Sequence, residues 1–131
     1  MFWQDRVEAL LQRLGLPATW EQAAGEPFML IVDERLPVYL LEQASNIEMV
    51  ALLGTLVDVP NHLLVMMLAA NYNDDIENPL YLAASSDGQF ALSYLRLADS
   101  SSFEQLVEAF EKFLHHARYW SDQLSPHQNI E

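Results

Sequence analysis

Residues 61–73 read NHLLVMMLAANYN, and from Leu63 to Ala70 no side chain is polar. Asp58 and Pro60 stand where helix starts prefer them, and Asn71 to Asp75 supply turn formers at the other end, so the segment predicts a short helix. A helix apolar on one face needs a single covering surface, whereas one apolar all round needs two. A membrane is not the answer, because a spanning helix takes roughly 20 apolar residues and this run is well short of that. One cover is the domain's own sheet. The other is either a second element of the same chain, with the helix sandwiched between sheet and final helix, or a second molecule.

The flanking segments predict that sheet. On the N-terminal side, NIEMVALLGTL (46–56) begins by alternating Ile47, Met49 and Ala51 against Glu48 and Val50, as a half-buried strand does. Before it, FMLIVDERLPVYLLEQ (28–43) has two apolar runs, Phe28 to Val32 and Val38 to Leu41, around the turn-like Asp33-Glu34-Arg35, a hairpin signal. Pro37 cannot donate to a ladder, which puts it at a strand start or on an edge. On the C-terminal side, PLYLAASSDGQFALSYLRL (79–97) reads as another hairpin with Asp87-Gly88 at its turn, Phe90, Leu92 and Tyr94 alternating with Ala91, Ser93 and Leu95.

Amphipathic helices close both ends. Phe2 or Trp3, Val7, Leu10, Leu11 and Leu14 fall at helical spacing, and Gly15 followed by Pro17 stops that helix. From Phe103 to Leu124, the residues Leu106, Val107, Phe110, Phe113, Leu114, Ala117 and Trp120 trace one face, with a capping box from Ser101 to Glu104 or from Ser102 to Gln105. The order is α-β-β-β-α-β-β-α, an α+β domain with helices packed on a twisted antiparallel sheet. Residues 1–124 make one domain, with 125–131 as a short tail.

Composition narrows the function. The 131 residues hold 6 Lys+Arg against 19 Asp+Glu, a formal net charge of -13, so nucleic acid is repelled as a partner and anionic membrane surfaces are disfavoured. Yet 51% of residues are hydrophobic, which excludes a disordered acidic chain and implies a compact core with apolar surface left over. There is no cysteine, hence no disulfide, thiolate chemistry or Cys-based metal site. The N-terminus has no basic region ahead of an apolar stretch, so the expected compartment is the cytoplasm.

Signals for chemistry are weak. His115 and His116 are adjacent on a helix and do not face one metal as an i, i+4 pair would; with His62 and His127 they read as solvated histidines. The acidic run NDDIEN (73–78) lacks calcium-loop spacing and reads as a solvated turn. Asp33 and Glu34, at a hairpin turn, are too wet for general acid work. No nucleophile elbow or glycine-rich phosphate loop is present. The chain therefore reads as a non-enzyme without metal or cofactor, and its informative features are surfaces.

Several phrases, taken in order, resemble the class I type III secretion chaperones, the small acidic proteins related to the Tir chaperone. They are LGLP (14–17), the strand ending Ile31-Val32-Asp33, LLGTL (52–56), LLVMMLAANY (63–72), and FEQLVEAFEKFLHHARYWSDQL (103–124) with Ala117 three before Trp120. The resemblance covers nearly the full length, with a departure at Asp74 to Pro79, where the family often enters the next strand through a glycine-bearing segment. It implies a bacterial cytoplasmic homodimer that binds the N-terminal chaperone-binding segment of a secreted effector and keeps it extended, soluble and ready for export. By the same analogy Leu64, Met67, Leu68, Leu80 and Leu82 form the dimer interface. An effector platform is expected between the first helix and first strands, at Leu10, Leu14, Phe28, Leu30, Val32 and Val38, residues that plain core packing explains equally well. The alternative is a non-catalytic interaction or regulatory domain of similar fold with another partner.

Overall fold

The computed structural model describes residues 3–15, 28–43, 46–71, 80–98 and 100–128. Within them the elements are α1 (Trp3–Leu14), β1 (Phe28–Val32), β2 (Leu36–Gln43), β3 (Asn46–Thr55), α2 (Asn61–Ala70), β4 (Leu80–Ala84), β5 (Phe90–Ala98) and α3 (Phe103–Leu124), followed by a 3-10 turn, Ser125–His127. The five strands form one antiparallel sheet in the order β1-β2-β3-β5-β4, so the α+β fold expected from the pattern is the fold observed. The polar connector before β1 and the acidic run 73–78 lie outside the described residues.

Period-two alternation decides which way each strand faces. Leu30 and Val32 of β1, Val38 and Leu40 of β2, Ile47, Met49 and Ala51 of β3, and Ala91, Ser93, Leu95 and Leu97 of β5 are all buried on one face. That face carries α3, which lies along β3 and β5 and is in turn packed by α1. Phe110 and Phe113 of α3 are wholly buried, as are Ala51 of β3 and Ala91 and Ser93 of β5 on the covered face. Each ring removes enough apolar area from water to contribute roughly 2–3 kcal/mol. Val7, Leu10 and Leu11 complete the core from α1. Gly15 then ends α1 at φ +66, its N–H donating to the Gln12 carbonyl at 3.2 Å.

Local chemistry sets the element ends. Of the two capping boxes the sequence allows at α3, the structure uses Ser102 with Gln105, both reciprocal bonds being present. The β1–β2 connection is a tight turn closed by the Arg35 N–H on the Val32 carbonyl, and both central residues, Asp33 (φ 56) and Glu34 (φ 62), are left-handed. Two ion pairs hold this turn on α3, Arg118 with Asp33 at 2.8 Å and Arg35 with Asp122 at 2.6 Å.

One expectation changes. His116 is half-buried rather than solvated, because position 116 turns toward β5, where its Nδ1 lies 2.7 Å from the buried Ser93 hydroxyl. His115, one residue earlier, is exposed as expected. Beyond α3, Gln128 reaches back to β3 and bonds both backbone groups of Thr55.

Candidate functional site

Three surfaces stand out, the first of them α2. Its apolar run buries only Leu63 and Met67 against the rest of the chain. Val65 (63% exposed), Met66 and Leu68 (72% exposed) face outward, and Val57 in the turn before the helix is equally bare. A shallow groove runs between α2 and β4, floored by Leu56, Leu64, Met67, Leu82 and Ala84. Asn71 closes its end. The Asn71 side chain accepts from the Leu82 N–H at 2.7 Å and donates to the Leu82 carbonyl at 2.9 Å, tying the end of α2 to the outer edge of β4.

The second surface is the sheet face turned away from α1 and α3. Antiparallel sheets that meet water usually show it polar residues. Here the strand register lines up Met29, Tyr39, Val50, Tyr94 and Tyr81 in one row across all five strands. The neighbouring row adds Leu52, Leu92 and Ala83. Tyr81 and Tyr94 pack ring against ring at 5.0 Å. Burial, reinforced by a hydrogen bond to Glu48, pushes the Tyr94 phenol well above its ordinary range, so it stays a neutral donor.

The third surface is the outer edge of β1, the terminal strand on that side. Met29 (41%) and Ile31 (40%) stand exposed beside it. Among the described residues, nothing bonds to its outer backbone groups.

The residues singled out from sequence fall on and around these surfaces. Of the dimer set, Leu68 is exposed and Leu64 partly buried on the groove, Met67 and Leu82 line it while largely buried, and Leu80 is buried on β4. Of the effector set, Leu10, Leu30, Val32 and Val38 lie in the core. Leu14 lines a small groove with Leu114, Glu111, His115 and Arg118, and the Phe28 side chain lies outside the described residues. Met29, Ile31, Val65 and Met66 were not singled out. Alternation puts Met29 and Ile31 on the face opposite Leu30 and Val32 without saying which of the two faces the helices cover.

These apolar surfaces belong to a chain with a formal net charge of -13. Three of the arginines are engaged with the chain's own carboxylates, Arg13 with Glu104, Arg35 with Asp122 and Arg118 with Asp33. All are exposed pairs worth about 0–1 kcal/mol each, so their main consequence is to leave a surplus of negative charge outside. Among the described residues no cluster of three or more His, Asp or Glu could hold a metal. No helix of the described residues is long and apolar enough to cross a membrane.

The fold recurs in solved structures of secretion chaperones. The chain is similar to one in the Yersinia pestis type III secretion chaperone SycH in complex with a stable fragment of YscM2, at 17% identity and a TM-score of 0.67, covering 91% of this chain and 99% of that one. It is similar to a chain of the heterodimeric complex ExoU-SpcU from the type III secretion system of Pseudomonas aeruginosa, at 18% identity and a TM-score of 0.67, with coverage of 94% and 98%. The HopA1-SchA chaperone-effector complex gives 14% identity and a TM-score of 0.65, with coverage of 92% and 93%. No curated protein matches the sequence. At such identities these structures speak to fold alone, but the sequence itself matches the type III secretion chaperone domain from residue 5 to residue 125. The chain belongs to the type III secretion chaperone family.

Proposed function

We propose that this protein is a non-catalytic chaperone of the bacterial cytoplasm that binds, as a homodimer, the N-terminal chaperone-binding segment of a secreted effector and keeps it extended, soluble and export-competent. The observation that carries this reading is the pairing of an acidic chain of the chaperone family with two uncovered apolar surfaces on different parts of the fold. One is the outer side of α2 with the β4 groove. The other is β1 with its exposed Met29 and Ile31.

The two surfaces suit two kinds of partner. The α2 side offers only side chains, because its backbone groups are spent within the helix, and a second α2 can seat Val65, Met66 and Leu68 across a two-fold axis. An extended effector segment carries unpaired N–H and C=O groups as well as side chains. It needs a sheet edge for the first and an apolar platform for the second, and β1 provides both. Remaining negative charge keeps the dimer soluble and favours basic stretches of effector. The solved complexes of related fold, in which a chaperone is paired with an effector or a protein fragment, support the reading.

The test is mass by light scattering across a dilution series, followed by co-purification with N-terminal segments of candidate effectors. A stable mass near twice 15.0 kDa is expected, with the Leu64→Asp/Leu68→Asp double variant folded and monomeric. A variant that stays dimeric removes the α2 interface. Wild type that retains no candidate segment at high salt, where apolar contacts persist and screening is short-ranged, removes the chaperone assignment.

A further inference from the structure

A sheet that accepts a strand at one edge has the same chemistry at every other unpaired backbone site. In the order β1-β2-β3-β5-β4 the second terminal strand is β4, and β3 outruns β2 at its C-terminal end. A chaperone meant to hold one extended segment therefore faces competing sites on its own sheet, including pairing with further copies of itself.

Each competing site carries a side-chain carboxamide, at Leu82 on β4, where Leu80 too has a partner, and at Thr55 on β3. In an antiparallel ladder, a hydrogen-bonded residue pair exchanges two bonds: each N–H goes to the other's carbonyl. Asn71 reproduces one side of that exchange at Leu82, the middle residue of β4, accepting from its N–H at 2.7 Å and donating to its carbonyl at 2.9 Å. Gln128 does the same at Thr55, the last residue of β3. Its Oε1 accepts from the Thr55 N–H at 2.6 Å, and its Nε2 donates to the Thr55 carbonyl at 3.2 Å and the Leu124 carbonyl at 3.0 Å. The backbone is shaped to receive the second amide. A β-carbon on Gly54 would sit 2.6 Å from Gln128 Oε1, so the neighbouring position has no room for a side chain while the amide is there. A carboxamide is the one side-chain group with the donor and acceptor of a peptide unit, which explains why Asn and Gln occupy these positions.

We infer that Asn71 and Gln128 are specificity-determining residues that plug the β4 edge and the β3 end against strand addition, directing an extended partner to β1. The inference rests on the strand-adding mode of binding proposed above. It assigns Asn71 a role separate from α2 packing: the groove beside it can meet another molecule through side chains, but β4 cannot take a strand at its midpoint while the amide is in place.

The experiment uses the full-length protein, isotopically labelled, titrated with a short end-blocked peptide alternating valine with lysine and threonine, an extended and cationic probe. In wild type the amide signals of β1 shift and those of β4 do not. In Asn71→Ala a second set of shifts appears on β4, binding stoichiometry rises from one site to two, and the free variant exchanges its Leu82 amide at least about tenfold faster, the loss of one hydrogen bond. Gln128→Ala opens the β3 end in the same way, an independent arm should Asn71→Ala fold poorly. Shifts on β4 in wild type overturn the inference. So do variants that gain no second site, whether or not Leu82 exchange accelerates, since the amides are then only structural ties. If wild type binds the probe nowhere while Asn71→Ala binds it on β4, the plug stands and the β1 mode of effector binding falls instead.

Discussion

His116 Nδ1 lies 2.7 Å from Ser93 Oγ, joining the middle of α3 to the strand beneath it. Burial, with smaller contributions from His115 and Lys112, lowers the imidazole from 6.5 to about 4, so at neutral pH it is uncharged. The unfolded chain takes up this proton near pH 6.5 and the folded chain only near pH 4, so the contribution is full above 6.5 and is lost as pH falls through that window. Urea midpoints measured at pH 7, 6 and 5 should decline more steeply for wild type than for His116→Gln. Parallel profiles would mean that the ring is solvated in the folded protein.

Glu34 sits left-handed at φ 62 with an ordinary L side chain, in a turn held on α3 by its neighbours' ion pairs. Glycine adopts that conformation at no steric cost, at the expense of some entropy in the unfolded chain. Glu34→Gly should therefore stabilise the protein by roughly 0.5–1 kcal/mol. Asp33 must be left alone, because it carries the bond to Arg118. A thermal melt with a lower midpoint would show that the turn is not strained.

At Gly54 the expected sign is opposite. Alanine there meets the Gln128 amide at 2.6 Å and is held at φ +153. Displacing the amide breaks both bonds to Thr55, so Gly54→Ala should cost about 2–3 kcal/mol in denaturant unfolding. Introduced into a Gln128→Ala background, the same change should cost distinctly less. Equal costs in the two backgrounds would leave only the backbone conformation as the cause.

Leu68 is 72% exposed, so the fold of one chain makes little use of it. Leu68→Ser should leave unfolding free energy per chain within about 0.5 kcal/mol once protein concentration is low enough to populate monomer. Its effect should appear as a shift of the dilution midpoint for dimer dissociation toward higher concentration. A large loss of monomer stability would place Leu68 in the core after all.

The fold was legible where one periodicity ran uninterrupted. The stripe from Phe103 to Leu124 and the alternation at Ile47, Met49 and Ala51 announced α3 and β3, and both lie where the pattern put them. Function was less legible because pattern reports which residues are apolar, not which apolar residues lack a cover. Leu30 and Met29 are both hydrophobic and adjacent; only the placement of α3 makes one core and the other surface. Asn71 and Gln128 were invisible for another reason. Asn71 read as an ordinary turn former and Gln128 as part of a short tail, and their partners, Leu82 and Thr55, are met through backbone groups with no sequence signature.

The strand order has a consequence for how the chain is made. Strands β1 to β3 can pair as soon as residue 55 is available, since each follows the last through a short connection. The central pair of the sheet, β3 with β5, joins opposite halves of the chain and must wait until α2 and the β4–β5 hairpin have been synthesised. During that interval β3 presents an unpaired strand edge, flanked by the apolar side chains that α3 will later cover. On the function proposed above, a protein that shelters an extended partner thus emerges from the ribosome needing shelter itself, and the time it spends so exposed is set by how soon residues 90–98 arrive to close the sheet.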